Sequence, residues 1–256
     1  MAELRIEELS CGYGGADIVK NVSLTVKGGG TVAIAGPNGC GKTTLLRAVC
    51  GLIPITAGEV FIDGSAAADI PPKERAKKVA MLSQTGAGGD YFGYTVVNTV
   101  LMGRYSRQKG SVFSETSRED IAAAERCIAE VGLGGLEDRS ITELSGGQLQ
   151  RVFLARAFAQ EPEILLLDEP ANHLDIKSQS ELSGILKRFT DSGGAVLGVF
   201  HDISFAAAVS DRILLMKDGE AVSCGRTEDI VGSKELSEVF DTDVSAYMKK
   251  ILKIWE

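Results

Sequence analysis

Eight consecutive residues, Gly36-Pro37-Asn38-Gly39-Cys40-Gly41-Lys42-Thr43, have the types and spacing needed to hold a phosphate chain. They fit the pattern G-x-x-x-x-G-K-[ST], in which glycines let the backbone aim several N–H groups at phosphate oxygens. Lys42 can reach the β- and γ-phosphates, Thr43 can place its hydroxyl on Mg²⁺, and Thr44 carries the run into the next helix. A Gly-rich turn with a chance lysine is the plainer explanation, and the strand before and the helix after argue against it. Cys40 stands at the helix entrance, where a thiolate would be favoured. A small side chain filling a small slot is the better account of it.

A second group of reactive residues closes an apolar run, Ile164-Leu165-Leu166-Leu167-Asp168-Glu169. A carboxylate at a strand end beside the phosphate loop suits Mg²⁺ held through water, the role open to Asp168, while Glu169 is placed to polarise an attacking water. Two acids after a strand also occur as simple solvent-facing residues; with the cradle they form a set. His201 follows the apolar run 195–200 and so also stands at a core strand end, where it can contact a γ-phosphate and align the water. Taken alone, a structural histidine would be the better explanation.

These residues need a sheet whose strands end together. Continuous apolar runs at 31–35, 164–167, 195–200 and 213–216 read as strands buried on both faces. Helical patterns at 45–49, 148–159 and 182–189 separate them, and this alternation predicts a mainly parallel α/β sheet. Residues 4–28 alternate apolar and polar in two stretches around a Gly-rich turn, as in a partly exposed antiparallel hairpin, and 59–64 adds a strand and turn. Residues 90–143 lack strand signals and carry a helical run at 117–131, which reads as a helical insertion. The expected organisation is a single domain over 1–256, with a core of 1–89 and 144–256 and the insertion at 90–143.

A chain of 256 residues that is 44% hydrophobic and 24% charged can build one sizeable core. Its apolar runs are too short to cross a bilayer, and its start lacks the basic-then-apolar layout of a secretory signal, so a cytoplasmic location is expected. The net charge of −8 argues against a nucleic-acid partner. Five scattered cysteines without a C-x-x-C pair fit free thiols better than disulfides or a metal site.

Leu144-Ser145-Gly146-Gly147-Gln148 decides between readings. A Ser-Gly-Gly turn opening a helix makes a second anion site, although one chain needs only one cradle for a triphosphate. A mere helix cap at Ser145 is the alternative. With the two motifs above, this segment resembles the signature of the ABC ATPases, and the resemblance covers essentially the whole chain. It implies a P-loop NTPase fold with a mainly parallel core sheet, an N-terminal antiparallel β subdomain and an inserted α-helical subdomain. It also implies ATP with Mg²⁺, and two subunits paired head to tail as a homodimer on ATP binding, with each ATP between one cradle and the other signature. Tyr13 resembles the aromatic that stacks on adenine. Gln84 resembles the glutamine that touches Mg²⁺ and water, as catalytic and metal residue, and links the site to the membrane partner. Ala171-Asn172-His173-Leu174-Asp175 resembles the segment that crosses the dimer interface.

Within the family, Thr95-Val96 and Val100-Leu101-Met102-Gly103-Arg104-Tyr105 are similar to the helical insertion of metal-chelate importers, those for iron–siderophore, haem or cobalamin; 201–204, 211–212 and 217–219 fit the same group. Ser83, where a proline often precedes the glutamine, and the glycine-rich run 86–89 depart from the pattern at the expected permease contact. The resemblance implies a motor subunit peripheral on the cytoplasmic face of the cell membrane, bound to integral membrane permease subunits and served indirectly by an extracytoplasmic substrate-binding protein. A soluble ABC ATPase, such as one for iron–sulfur cluster assembly, fits the length but not 101–105. Repair and ribosome-associated members need coiled-coil insertions or a second ATPase half, which this sequence lacks.

Overall fold

The hairpin expected near the N-terminus is β1 (Glu3–Cys11) and β2 (Val19–Lys27), paired antiparallel from Glu3 opposite Lys27 to Cys11 opposite Val19. The computed structural model describes residues 1–83, 93–108, 116–172 and 174–253. After β3 (Thr31–Ala35) and α1 (Lys42–Cys50), the strands β4 (Ile55–Ile62) and β5 (Ser65–Ala66) extend the hairpin. The result is a four-stranded antiparallel sheet in the order β2-β1-β4-β5. Leu4 and Ile6 point into the core while Glu7 is exposed, the alternation that a half-buried strand requires.

The second sheet starts beyond α2 (Pro72–Lys78) with β6 (Val79–Leu82). The helices α3 (Val96–Leu101), α4 (Arg118–Glu130) and α5 (Gly146–Ala159) follow. Strand β7 (Ile164–Asp168), helix α6 (Ile176–Asp191), strand β8 (Ala195–Val199) and helix α7 (Ile203–Val209) come next. The hairpin β9 (Arg212–Lys217) and β10 (Glu220–Arg226) precedes α8 (Thr227–Val231), α9 (Lys234–Phe240) and α10 (Val244–Leu252). Six strands line up as β10-β9-β3-β8-β7-β6, all parallel except the β10–β9 pair.

The continuous apolar runs are explained by a core on each face of this sheet. In β7, Ile164 and Leu166 join a cluster with α1 and the antiparallel sheet, while Leu165 and Leu167 join one with the helices. In β9, Leu214 and Met216 pack on the first side and Ile213 and Leu215 on the second. A strand with water on neither side has no position for a polar residue until it ends. Truncating a fully buried leucine such as Leu166 to alanine would cost about 2–5 kcal/mol.

The region expected to be helical packs α3 and α4 against α5, and among its described residues it has only an isolated bridge between Thr95 and Ser140. Contact with α5 is close at Gly103, where a Cβ would lie 2.1 Å from the Arg156 carbonyl oxygen. Arg104, 5% exposed, is anchored by Asp120 and the Ala159 carbonyl, both at 2.9 Å. Among the described residues, no helix is long and apolar enough to cross a membrane. The sequence reading did not identify β6, β10, α2 or α7–α10. These elements are short, and β10 and α2 are largely exposed, so their apolar pattern is weak.

Candidate functional site

The phosphate-binding pattern forms the turn between β3 and α1. At Gly36 a Cβ would lie 2.1 Å from the Met216 carbonyl oxygen on β9, so neighbouring backbone excludes any side chain there. Gly41, with φ of 100°, takes the N-cap position of α1, and no side chain caps the helix. Its first N–H groups are therefore left to an anion, and the helix dipole favours one. Lys42 is 6% exposed and curls over its own loop, its Nζ donating to the Gly36 and Pro37 carbonyls at 2.8 Å each. Cys40 fits the small-slot reading rather than a favoured thiolate. It is 4% exposed, and burial pushes its thiol above the usual 9.0 despite the nearby Lys42 charge. The small-slot explanation holds, since its sulfur sits 2.9 Å from where a Gly36 Cβ would be.

Thr43 Oγ1 donates to Asp168 Oδ1 at 2.8 Å, joining the start of α1 to the end of β7. Asp168 is buried, and desolvation pushes its carboxyl above the ordinary range. The Thr43 hydrogen bond and the Arg47 and Lys42 charges oppose that push, and the Glu169 charge adds to it. A dry carboxylate beside a hydroxyl offers hard oxygen donors to a cation that would relieve the desolvation, so the residues present fit Mg²⁺.

The neighbouring strand pair places Glu169 and His201. Asp168 on β7 stands opposite Val199 on β8, and the Glu169 N–H donates to the Val199 carbonyl at 3.0 Å. Glu169 has φ of 55°, a left-handed conformation uncommon outside glycine and found disproportionately at functional sites. His201 Nε2 lies 2.7 Å from Glu169 Oε1, and Asn172 Nδ2 donates to Glu169 Oε2 at 3.2 Å.

A cavity of about 460 Å³ brings these groups together, lined by Ile18, Asn38, Gly39, Gly41, Lys42, Thr43, Thr44, Glu169, Asn172 and His201. A larger groove of about 950 Å³ lies along β1, β2 and β4. It contains neither the glycine loop nor the strand-end carboxylates, so size does not mark the reactive site here. Ile18 was not singled out from sequence. Its signal was weak, a lone apolar residue before β2. Tyr13 is not in the cavity lining; it is 55% exposed, and its hydroxyl accepts from Arg47 Nη1 at 3.0 Å.

The signature residues lie outside this cavity. Ser145 and Gln148 form a complete capping box on α5, with Ser145 Oγ accepting from the Gln148 N–H and Gln148 Oε1 from the Ser145 N–H. The cap reading of Ser145 is thus real in this chain. Gly146 faces open space, Gly147 abuts Ser178, and Leu144 packs against the core. Asp175 caps α6 by accepting from the Ser178 N–H, and Leu174 packs on the core. Gln84 and His173 lie outside the described residues, as does the glycine-rich run 86–89.

A parallel sheet carrying a glycine phosphate loop, a buried aspartate bonded to the loop threonine and a glutamate–histidine pair defines a P-loop nucleoside triphosphatase. The ABC transporter family model matches residues 19–172, and the chain belongs to that family. It is 41% identical over 244 residues to the uncharacterized ABC transporter ATP-binding protein YvrA of Bacillus subtilis, covering 95% of this chain and 54% of YvrA, about half that relative's length. It is 35% identical over 244 residues to the iron(3+)-hydroxamate import ATP-binding protein FhuC of the same organism, covering 95% of this chain and 89% of FhuC. A solved structure described as an inward-facing metal-chelate type ABC transporter superposes with a TM-score of 0.80 at 26% identity, covering 94% of this chain and 89% of that one. ATP-binding proteins of this family are ATPases coupled to transport.

Proposed function

We propose that this chain is the ATP-hydrolysing motor of an importer for a metal chelate such as an iron–siderophore, haem or cobalamin complex. The observation that carries the ATPase part is the meeting of Lys42, Thr43 and the Glu169–His201 pair at one cavity, with Asp168 bonded to Thr43. The cargo class is supported by the hydroxamate importer among its relatives. That likeness favours the importer over an iron–sulfur cluster assembly ATPase.

In this reading the open N–H groups of α1 and the Lys42 ammonium hold the phosphates of ATP. Mg²⁺, when bound, neutralises developing phosphate charge, and Thr43 and Asp168 would hold it, joined by Gln84 through the family resemblance. Glu169 takes the proton of the attacking water as its oxygen bonds to the γ-phosphorus, while the bond from that phosphorus to the β–γ bridging oxygen breaks. His201 fixes the carboxylate through Oε1, and in this reading its place at a strand end lets it contact the γ-phosphate. Tyr13 offers a face to adenine.

Two copies pair on ATP, each cradle facing the other copy's 144–148 turn across the segment 171–175. The pair works on the cytoplasmic face of the membrane beneath permease subunits, with an extracytoplasmic binding protein delivering cargo to them. Reconstitution with candidate permeases in vesicles tests this: permease-stimulated ATPase activity with uptake of an iron chelate is expected. A rate indifferent to every permease, with growth defects confined to iron–sulfur enzymes, would overturn it in favour of the assembly ATPase.

A further inference from the structure

Asn172 falls in the segment that the family resemblance assigns to the contact between subunits, yet its polar contact lies within its own chain. The turn after β7 is closed by the Asn172 N–H, which donates to the Glu169 carbonyl at 3.2 Å. Closure brings the side chain back alongside, and Nδ2 donates to Glu169 Oε2, also at 3.2 Å. His201 meets the other oxygen, Oε1, at 2.7 Å. Asn172 lines both the phosphate-loop cavity and a smaller one of about 150 Å³ shared with Glu169, His201 and Phe205.

We propose that Asn172 is a positioning residue for Glu169 in its own subunit, orienting the base through Oε2 as His201 orients it through Oε1. A glutamate carboxylate has three torsions through which it can swing, and a base works only when one oxygen points at the water. The left-handed backbone of Glu169 sets where the side chain starts, and the two contacts set where its oxygens finish. An amide suits this task because it donates a hydrogen bond without adding charge beside the base. The role rests on the reading of Glu169 as the group that activates water.

The test compares Asn172→Ala and Asn172→Asp with the unaltered chain, using Mg-ATP over a range of protein concentrations. Asn172→Ala is expected to lower kcat about tenfold, the loss expected for one hydrogen bond to a charged group, with KM for ATP and melting temperature unchanged. The deficit should persist at protein concentrations that saturate pairing. In Asn172→Asp the ionised carboxylate cannot donate to Oε2, so kcat should fall at least as far as in Asn172→Ala. An unchanged kcat in Asn172→Ala overturns the proposal. So does a deficit that disappears at high protein concentration, because Asn172 would then act only between subunits. Should Asn172→Ala not fold, a kcat in Asn172→Asp equal to that of the unaltered chain overturns it alone. Failure of the underlying reading is seen separately, as near-normal turnover in Glu169→Gln.

Discussion

Thr43 and Asp168 stand 125 residues apart in sequence and are joined by a 2.8 Å hydrogen bond between the first turn of α1 and the last residue of β7. The bond ties the phosphate loop to the strand that carries the carboxylates, so loop and base cannot shift independently.

Asp168→Asn should separate metal binding from folding. Burial holds the carboxyl above its ordinary 3.8, so the folded chain favours the protonated form. That contribution to stability is present below the unfolded value and is lost as pH rises through the folded one, so ionised Asp168 weakens the empty protein at pH 7. The neutral amide, whose oxygen can still accept from Thr43, should raise the melting temperature without nucleotide. It should also cut the Mg²⁺-dependent part of ATP affinity by at least about tenfold. Thermal melts and calorimetry with and without Mg²⁺ check both outcomes.

Glu169→Gln keeps the shape of the site and removes the charge that accepts the proton. Hydrolysis should fall by roughly 10²- to 10⁴-fold while Mg-ATP still binds. The variant should accumulate as a dimer with ATP, and the unaltered subunit should hydrolyse faster than linearly with its own concentration. Sedimentation showing an unchanged monomer under Mg-ATP would contradict the shared site.

Lys42→Ala removes an ammonium that is already desolvated and aimed along the loop. ATP affinity measured by calorimetry should fall about ten- to hundredfold. The Gly36 and Pro37 carbonyls lose their donor in the same variant, so the empty protein should also melt lower.

Asp120→Ala should destabilise the helical region. Burial pushes the Asp120 carboxyl up, but hydrogen bonds from Arg104 and Ser117 and the Arg104 charge outweigh this and hold it below 3.8. Its contribution is therefore complete above pH 3.8 and is lost as pH falls through the lower folded value. The loss at pH 7 should be about 2 kcal/mol, because buried Arg104 loses one of its two carboxylate partners and keeps only the half-exposed Glu161. Urea unfolding of both proteins should give a difference that shrinks as the pH is lowered.

Tyr105 and Leu101 should behave differently. Leu101 packs against the helical core, whereas Tyr105 is 56% exposed. Leu101→Ala should cost roughly 2 kcal/mol and lower basal ATPase activity with it. Tyr105→Ala should change stability by less than about 0.5 kcal/mol and leave basal activity alone, yet reduce permease-stimulated activity and chelate uptake. Transport equal to wild type in Tyr105→Ala would remove this residue from the coupling surface.

The loop 36–43, the carboxylates at 168–169, the Ser-Gly-Gly turn at 144–148 and the strands that hold them are legible in the chain alone. Each is local, either a fixed spacing or an apolar run with no polar position. Period and spacing survive in one dimension, which is why the two-faced strands and the α5 helix could be read before any coordinates. Folding, by contrast, sets that Thr43 bonds Asp168, that Glu169 adopts a left-handed backbone, and that Asn172 and His201 take its two oxygens. It also sets that Cys40 is buried with its thiol pushed up. These facts depend on which strand lies beside which and on where water is excluded. Adjacent strands β7 and β8 are 31 residues apart from Ile164 to Ala195, and no spacing rule links a residue to a neighbour that it meets only across a sheet.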